Sequence, residues 1–204
     1  MIHVNPPARP QNFDADCKNP GQEWVNKKAD LRSHPLWTQF KSELRDGFRN
    51  RCAFFAMFIS EGTVDHWLSI KNRPDLAYEW TNFRYVSGTV NSAKKPKWDG
   101  RLLDPFEIDG DWFEIDLGNM RLTLVANIDA ETRKRAEFTL DKLHLRDGDD
   151  IVRQRWLWYD MYVEFGNSIE WLWKVAPLIA KAVAKRDGLV IGETSNNAPQ
   201  EPTG

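Results

Sequence analysis

The 204-residue chain carries 41 % apolar residues, ten tryptophans and eleven phenylalanines at a net charge of only −2. That composition excludes a disordered chain and supplies one sizeable core, while the near balance of charge excludes strong non-specific attraction of the whole molecule to nucleic acid. Cys17 and Cys52 make no disulfide framework, and no leader-like stretch or apolar run of membrane-spanning length is present, so a cytoplasmic location without membrane contact is expected.

Residues 1–22 are rich in Pro, Asn and Asp and read as an extended arm laid on the rest. A first helix is expected from about Gln22 to Leu31. Ser33-His34-Pro35-Leu36-Trp37 reads as the start of a second, with Ser33 as cap and Pro35 in the first turn. Leu36, Phe40, Leu44 and Phe48 recur every four residues, so this helix buries one face and delivers the chain to Cys52.

Phe54 to Ile59 is an apolar run, Ser60-Glu61-Gly62 reads as a turn, and Thr63 to Trp67 resumes as a short β segment. This predicts a hairpin with Asp65 and His66 on its second strand. Successive strand residues face opposite ways, so Asp65 and His66 serve different targets unless a bulge lies between them. After an irregular stretch, Lys71 to Pro74, come Leu76 to Asn82 and then Ser87 to Lys95, which opens a short helix that Pro96 ends.

An Asp beside a His, followed by Asn82, Asn91 and the pair Lys94-Lys95, is a kit for cutting a phosphodiester. That reaction needs a divalent cation on a phosphate oxygen, a base for the attacking water, and cationic neighbours for the backbone. Between Arg49 and Leu103 nine basic side chains face five acidic ones, so a basic segment sits inside an acidic remainder. A local phosphate-binding face has this signature, with Arg84, Lys94 and Lys95 as its candidates. Taken singly, an Asp-His pair is ordinary surface chemistry and an asparagine an ordinary turn residue; order and spacing carry the weight.

Asp65-His66, Leu76-Ala77-Tyr78-Glu79-Trp80-Thr81-Asn82, Asn91 followed by Lys94, and Leu103-Asp104-Pro105 together resemble the HNH, or ββα-metal (His-Me finger), endonucleases. More narrowly, the stretch from Cys52 to Pro105 resembles the HNH proteins that accompany bacterial retron and Septu-type anti-phage systems. The resemblance implies that His66 is the general base, that Asp65 and Asn91 hold one Mg²⁺ or Mn²⁺ ion, and that Asn82 braces the catalytic loop. Many relatives carry two C-x-x-C pairs around a structural zinc, and the corresponding positions here are Cys52 and Phe55, then Ser87 and Val90. One thiol cannot complete a tetrahedral four-cysteine site, so no structural zinc is expected; aromatic packing by Phe54, Phe55, Phe58, Trp67 and Trp80 takes its place.

Beyond Pro105, Trp112 to Leu117 and Arg121 to Val125 alternate around Gly118-Asn119 and predict a β-hairpin, with Glu107, Asp109, Asp111, Glu114 and Asp116 on the solvent side. Asp129 caps a helix whose apolar face is Ala136, Leu140 and Leu143. A second helix is expected from about Asp149 to Phe165 with Ile151, Trp158 and Tyr162 inward, and a third from Ser168, bent or restarted at Pro177. The tail after Gly188 reads as disordered.

The expected architecture is α+β, one domain over residues 1–190. An arm with helices (1–48) leads into the ββα-metal core (49–106), a β-hairpin (107–128) and a helical part (129–188). The expected function is metal-dependent hydrolysis of DNA phosphodiesters in anti-phage defence. Two alternatives share the same residues: a catalytically silent subunit that only binds nucleic acid, and an interaction protein whose Trp-rich helices dock an ATPase or reverse-transcriptase-like partner.

Overall fold

Phe13 is the first anchor of the chain. In the computed structural model, which describes residues 1–191, its ring is fully buried and meets Phe40, Trp80 and Phe83 edge-on, with centroids 5.0, 5.3 and 5.9 Å away. The arm is therefore not extended throughout. From Asp14 it winds through a π-helical turn (Asp14–Lys18) into α1 (Asn19–Asn26), earlier than the Gln22–Leu31 helix expected. Pro20, in the first turn of α1, favours the earlier start, and Lys28 at φ +53° prevents continuation. Gly21 lets α1 lie directly on Tyr78, because a Cβ at this position would stand 2.2 Å from the ring.

Asp30, not Ser33, caps the next piece, a 3-10 turn (Leu31–Ser33), by accepting from the Arg32 N–H. A second 3-10 turn (Leu36–Phe40) leads into α2 (Lys41–Gly47). Phe40, Leu44 and Phe48 are buried at the four-residue spacing that the sequence shows.

The expected strand at Phe54–Ile59 is not formed. Phe54, Phe55, Ala56, Met57 and Ile59 are all buried, Ala56 has φ +57°, and its N–H turns back to the Cys52 carbonyl. The run satisfies its amides one by one: Ala53 donates to Tyr85, Phe58 to Val175 and Ile59 to Asn50. An apolar run buried all round carries no alternation by which strand and irregular core could be told apart.

β1 (Thr63–His66) pairs antiparallel with β2 (Phe83–Val86) instead, across the loop 67–82. Asp65 stands opposite Arg84 and His66 opposite Phe83, so the Asp-His pair lies on the first strand of its hairpin and not the second. α3 (Gly88–Ala93) follows at once, capped by Ser87, whose Oγ accepts from the Val90 N–H at 3.2 Å. The local order is strand, strand, helix. The turns at Cys52 and Ser87 touch: Cys52 Sγ accepts from the Ser87 N–H at 3.5 Å, and Phe55 and Val90 are buried.

β3 (Phe113–Asp116) and β4 (Arg121–Leu124) form the second antiparallel pair, with Phe113 and Ile115 inward and Glu114 and Asp116 outward. α4 (Ala130–Lys142) starts at its Asp129 cap and buries Ala136 and Leu140. α5 (Asp149–Phe165) ends at left-handed Gly166, α6 (Ile169–Val175) is capped by Ser168, and the chain restarts at Pro177 as α7 (Pro177–Asp187). The residues expected inward on α5, Ile151, Trp158 and Tyr162, are only half-buried; the fully buried one is Arg155. Its guanidinium donates to the carbonyls of Met120, Leu145 and Arg146, and burial holds its pKa down to about 10.

The fold is thus mixed α and β, with two two-stranded sheets among the described residues. No helix of the described residues is long and apolar enough to cross a membrane. Of the tail expected to be disordered, residues 192–204 lie outside the described residues.

Candidate functional site

The loop 67–82 returns to the start of β2, and Asn82 closes it. Its Oδ1 accepts from the Leu68 N–H at 2.8 Å, while Nδ2 donates to the carbonyls of Leu68 (3.0 Å) and Leu76 (3.1 Å). The Asn82 carbonyl also accepts from the Trp67 N–H at 2.7 Å. A buried amide that satisfies both ends of a loop removes backbone freedom where β1 ends. Asp99 is a second tie: Oδ2 accepts from Ser69 N (2.9 Å), Ser69 Oγ (2.6 Å) and Asn72 Nδ2 (2.9 Å). No sequence signal singled out Asp99, whose partners lie some thirty positions upstream.

His66 sits at the mouth of this loop. Its Nε2 is 2.8 Å from the Ala77 carbonyl, which can only accept, so Nε2 carries the proton. Trp37 and Phe83 stand perpendicular to the ring at 4.6 and 5.2 Å and fix its plane. Burial holds the His66 pKa down to about 4, opposed by the Ala77 hydrogen bond and helped by Lys94 and Arg32. The ring is therefore neutral at physiological pH, with a lone pair left on Nδ1.

Asp65, one residue back, points the other way into the interior. Its Oδ2 lies 2.8 Å from Lys94 Nζ, both side chains being about 5 % exposed. The same ammonium donates to the carbonyls of His66 (2.5 Å) and Trp67 (2.8 Å) and faces the Trp67 ring at 5.2 Å. Burial raises the Asp65 carboxyl above the ordinary carboxylate range, and the Lys94 ammonium, with Arg84 behind it, pulls it back. Asn91 lies three residues before Lys94, in the last turn of α3, and its side-chain amide makes no hydrogen bond among the described residues.

Two of the three side chains expected at phosphate have partners inside the fold. Arg84 is buried, donates to Asp104 through Nε (2.8 Å) and Nη2 (2.5 Å), and stacks over Phe106 at 3.5 Å. Lys94 is spent on Asp65 as described. Neither charge faces solvent, because each is buried against a carboxylate that neutralises it. Lys95 is exposed, its Nζ bonded to the Ser92 carbonyl. Three exposed cations, Lys28, Arg32 and Lys71, form no salt bridge among the described residues and line a groove of about 580 Å³ with Leu31, Ile70 and Pro74. Arg32 on its rim is the one that weighs on His66.

The donor set suits a hard divalent ion in kind. Asp65 supplies a carboxylate, the neighbouring main chain supplies carbonyls, and Asn91 has a free amide; such oxygens favour Mg²⁺ or Mn²⁺. Among the described residues no three His, Cys, Asp or Glu side chains gather into a metal cluster, so an ion here relies on one carboxylate. No protein-family model matches the chain, and no curated protein matches it either.

Proposed function

We propose that this chain is a metal-dependent endonuclease of the ββα-metal type that hydrolyses DNA phosphodiesters. The observation that carries the reading is the geometry at His66: an imidazole whose Nε2–H is engaged by the Ala77 carbonyl and whose Nδ1 makes no hydrogen bond among the described residues, beside Asp65 on a strand that leads through an asparagine-closed loop into β2 and α3. His66 takes the proton of the attacking water on Nδ1, and the Ala77 carbonyl holds the ring and stabilises the imidazolium that forms. A pKa near 4 makes a weak base at neutral pH, but an anionic phosphate beside the ring raises it, since opposite charge favours the protonated form.

Asn82 is a positioning residue that acts through the loop bearing Ala77. Asp65 and Asn91 are the residues that would hold Mg²⁺ or Mn²⁺. When bound, such an ion neutralises charge on the scissile phosphate and acidifies its water. Lys28, Arg32, Lys71 and Lys95 are exposed cations that can track the nucleic-acid backbone. The resemblance to retron and Septu companions supports DNA as substrate, a cytoplasmic setting in anti-phage defence, and an ATPase or reverse-transcriptase-like protein as partner of the Trp-rich helices.

The test is nicking of supercoiled plasmid with Mg²⁺ or Mn²⁺. Wild type nicks, and His66→Ala loses about 100-fold or more while circular dichroism reports an intact fold. Undiminished nicking by His66→Ala removes His66 from the mechanism. The buried Asp65–Lys94 pair favours a second reading, a finger that binds nucleic acid without cutting it; binding by wild type with no nicking under either ion would select it.

A further inference from the structure

Lys94 is the least expected feature of the site. Its ammonium has three oxygen neighbours within 2.8 Å, namely a carboxylate and two main-chain carbonyls, and an aromatic ring beside it. That is the coordination of a cation site, filled by a side chain of the same protein. We infer that Lys94 is an internal competitor for the divalent ion: it holds the Asp65 carboxylate closed, and an ion reaches Asp65 only by displacing the ammonium. The inference rests on the reading of Asp65 as an ion ligand and concerns how that site is regulated.

The electrostatics make the two occupants exclusive. A doubly charged ion about 4 Å from an ammonium meets repulsion roughly fourteen times thermal energy at an effective permittivity near 20. Asp65 cannot share them, because among the described residues it is the single acid paired with Lys94, and it is itself buried. Arg84, the other base opposite Asp65, is already bound bidentately to Asp104 and cannot move in when Lys94 leaves. The Lys94 stem joins α3 to the strand, so its departure loosens the segment from Ala93 to Pro96 while Asn82 and Asp99 still hold the loop.

Two measurements test this on the full chain. Mn²⁺ binding is followed by electron paramagnetic resonance for wild type, Lys94→Met and Asp65→Asn. Lys94→Met should bind at least about tenfold more tightly than wild type, and Asp65→Asn should lose the site. Because Lys94→Met leaves a buried carboxylate unpaired and could fail to fold, the second measurement uses wild type alone. Amine acetylation with peptide mass analysis should find Lys94 protected without metal and labelled at least about fivefold faster in saturating Mn²⁺, with Lys95 unchanged. Equal Mn²⁺ affinity in wild type and Lys94→Met, a Lys94 that stays protected while Mn²⁺ binds, or no Mn²⁺ binding by any of the proteins overturns the inference. Displacement of Lys94 without plasmid nicking sinks the nuclease reading and leaves the competition standing; nicking with Lys94 protected does the reverse.

Discussion

In β3 and β4 every second side chain faces the core: Phe113, Ile115 and Leu122 are buried, and Glu114, Asp116, Arg121 and Thr123 are exposed. β1 and β2 carry no exposed side chain; Thr63 and His66 are half-buried and the rest are buried. Val64, Asp65 and all of Phe83 to Val86 are buried, and the pair Asp65 opposite Arg84 sits in the interior. A hairpin with one face in water keeps its charges there at little cost. One closed on both faces must neutralise each charge with a partner, and desolvation then consumes most of the attraction gained. Charges retained in such a place are candidates for chemistry, whereas those on β3 are surface decoration.

The sharpest break of that contrast is at Arg84. Arg84→Met strands Asp104 in the interior and should cost about 3–5 kcal/mol in urea denaturation, with most of the loss regained when Asp104→Leu is added. A single-variant loss under about 1 kcal/mol would mean that the closed hairpin tolerates charge as freely as the open one.

His66 gives the next largest effect. Its folded pKa of about 4 lies below the 6.5 of a free imidazole, so between these values the folded chain binds fewer protons than the unfolded one. Stability from this group is complete above about pH 6.5 and falls as pH drops toward 4, by about 3 kcal/mol. Urea denaturation of wild type and His66→Gln at pH 7 and pH 4.5 isolates it: the loss on acidification should be larger in wild type. Equal losses would show that the ring is not shielded in solution.

On the open hairpin the expected effect is smallest. Glu114 pairs with Lys185 at 3.0 Å, both side chains at least half exposed, so Glu114→Gln should change stability by less than about 0.5 kcal/mol and plasmid nicking not at all. A larger shift would erase the distinction between the two hairpins.

Local chemistry by itself determined much of this protein. Residue alternation marked β3 and β4, the Asp129 cap marked α4, the helix start read at Ser168 marked α6, Pro177 marked the restart at α7, and the four-residue spacing of Phe40, Leu44 and Phe48 marked the buried face leading to Cys52. Those signals are readable because each depends on residues within one or two turns of one another. The loop-closing hydrogen bonds of Asn82 were also expected, though from a family resemblance and not from spacing.

Tertiary structure alone decided which strand β1 joins and which charges are spent indoors. β1 passes over the adjacent apolar run and pairs with Phe83–Val86, because Phe54–Ile59 is needed as core on every side. Arg84 and Lys94 look like phosphate ligands in a basic stretch, yet Asp104 and Asp65, twenty and twenty-nine positions away, neutralise them. Lys28, Arg32 and Lys71 are scattered along the chain and meet at one groove only after α1 folds against the loop. Charge and polarity are written locally, but a long-range partner determines whether a charge meets water or another charge, and only the folded chain supplies that partner.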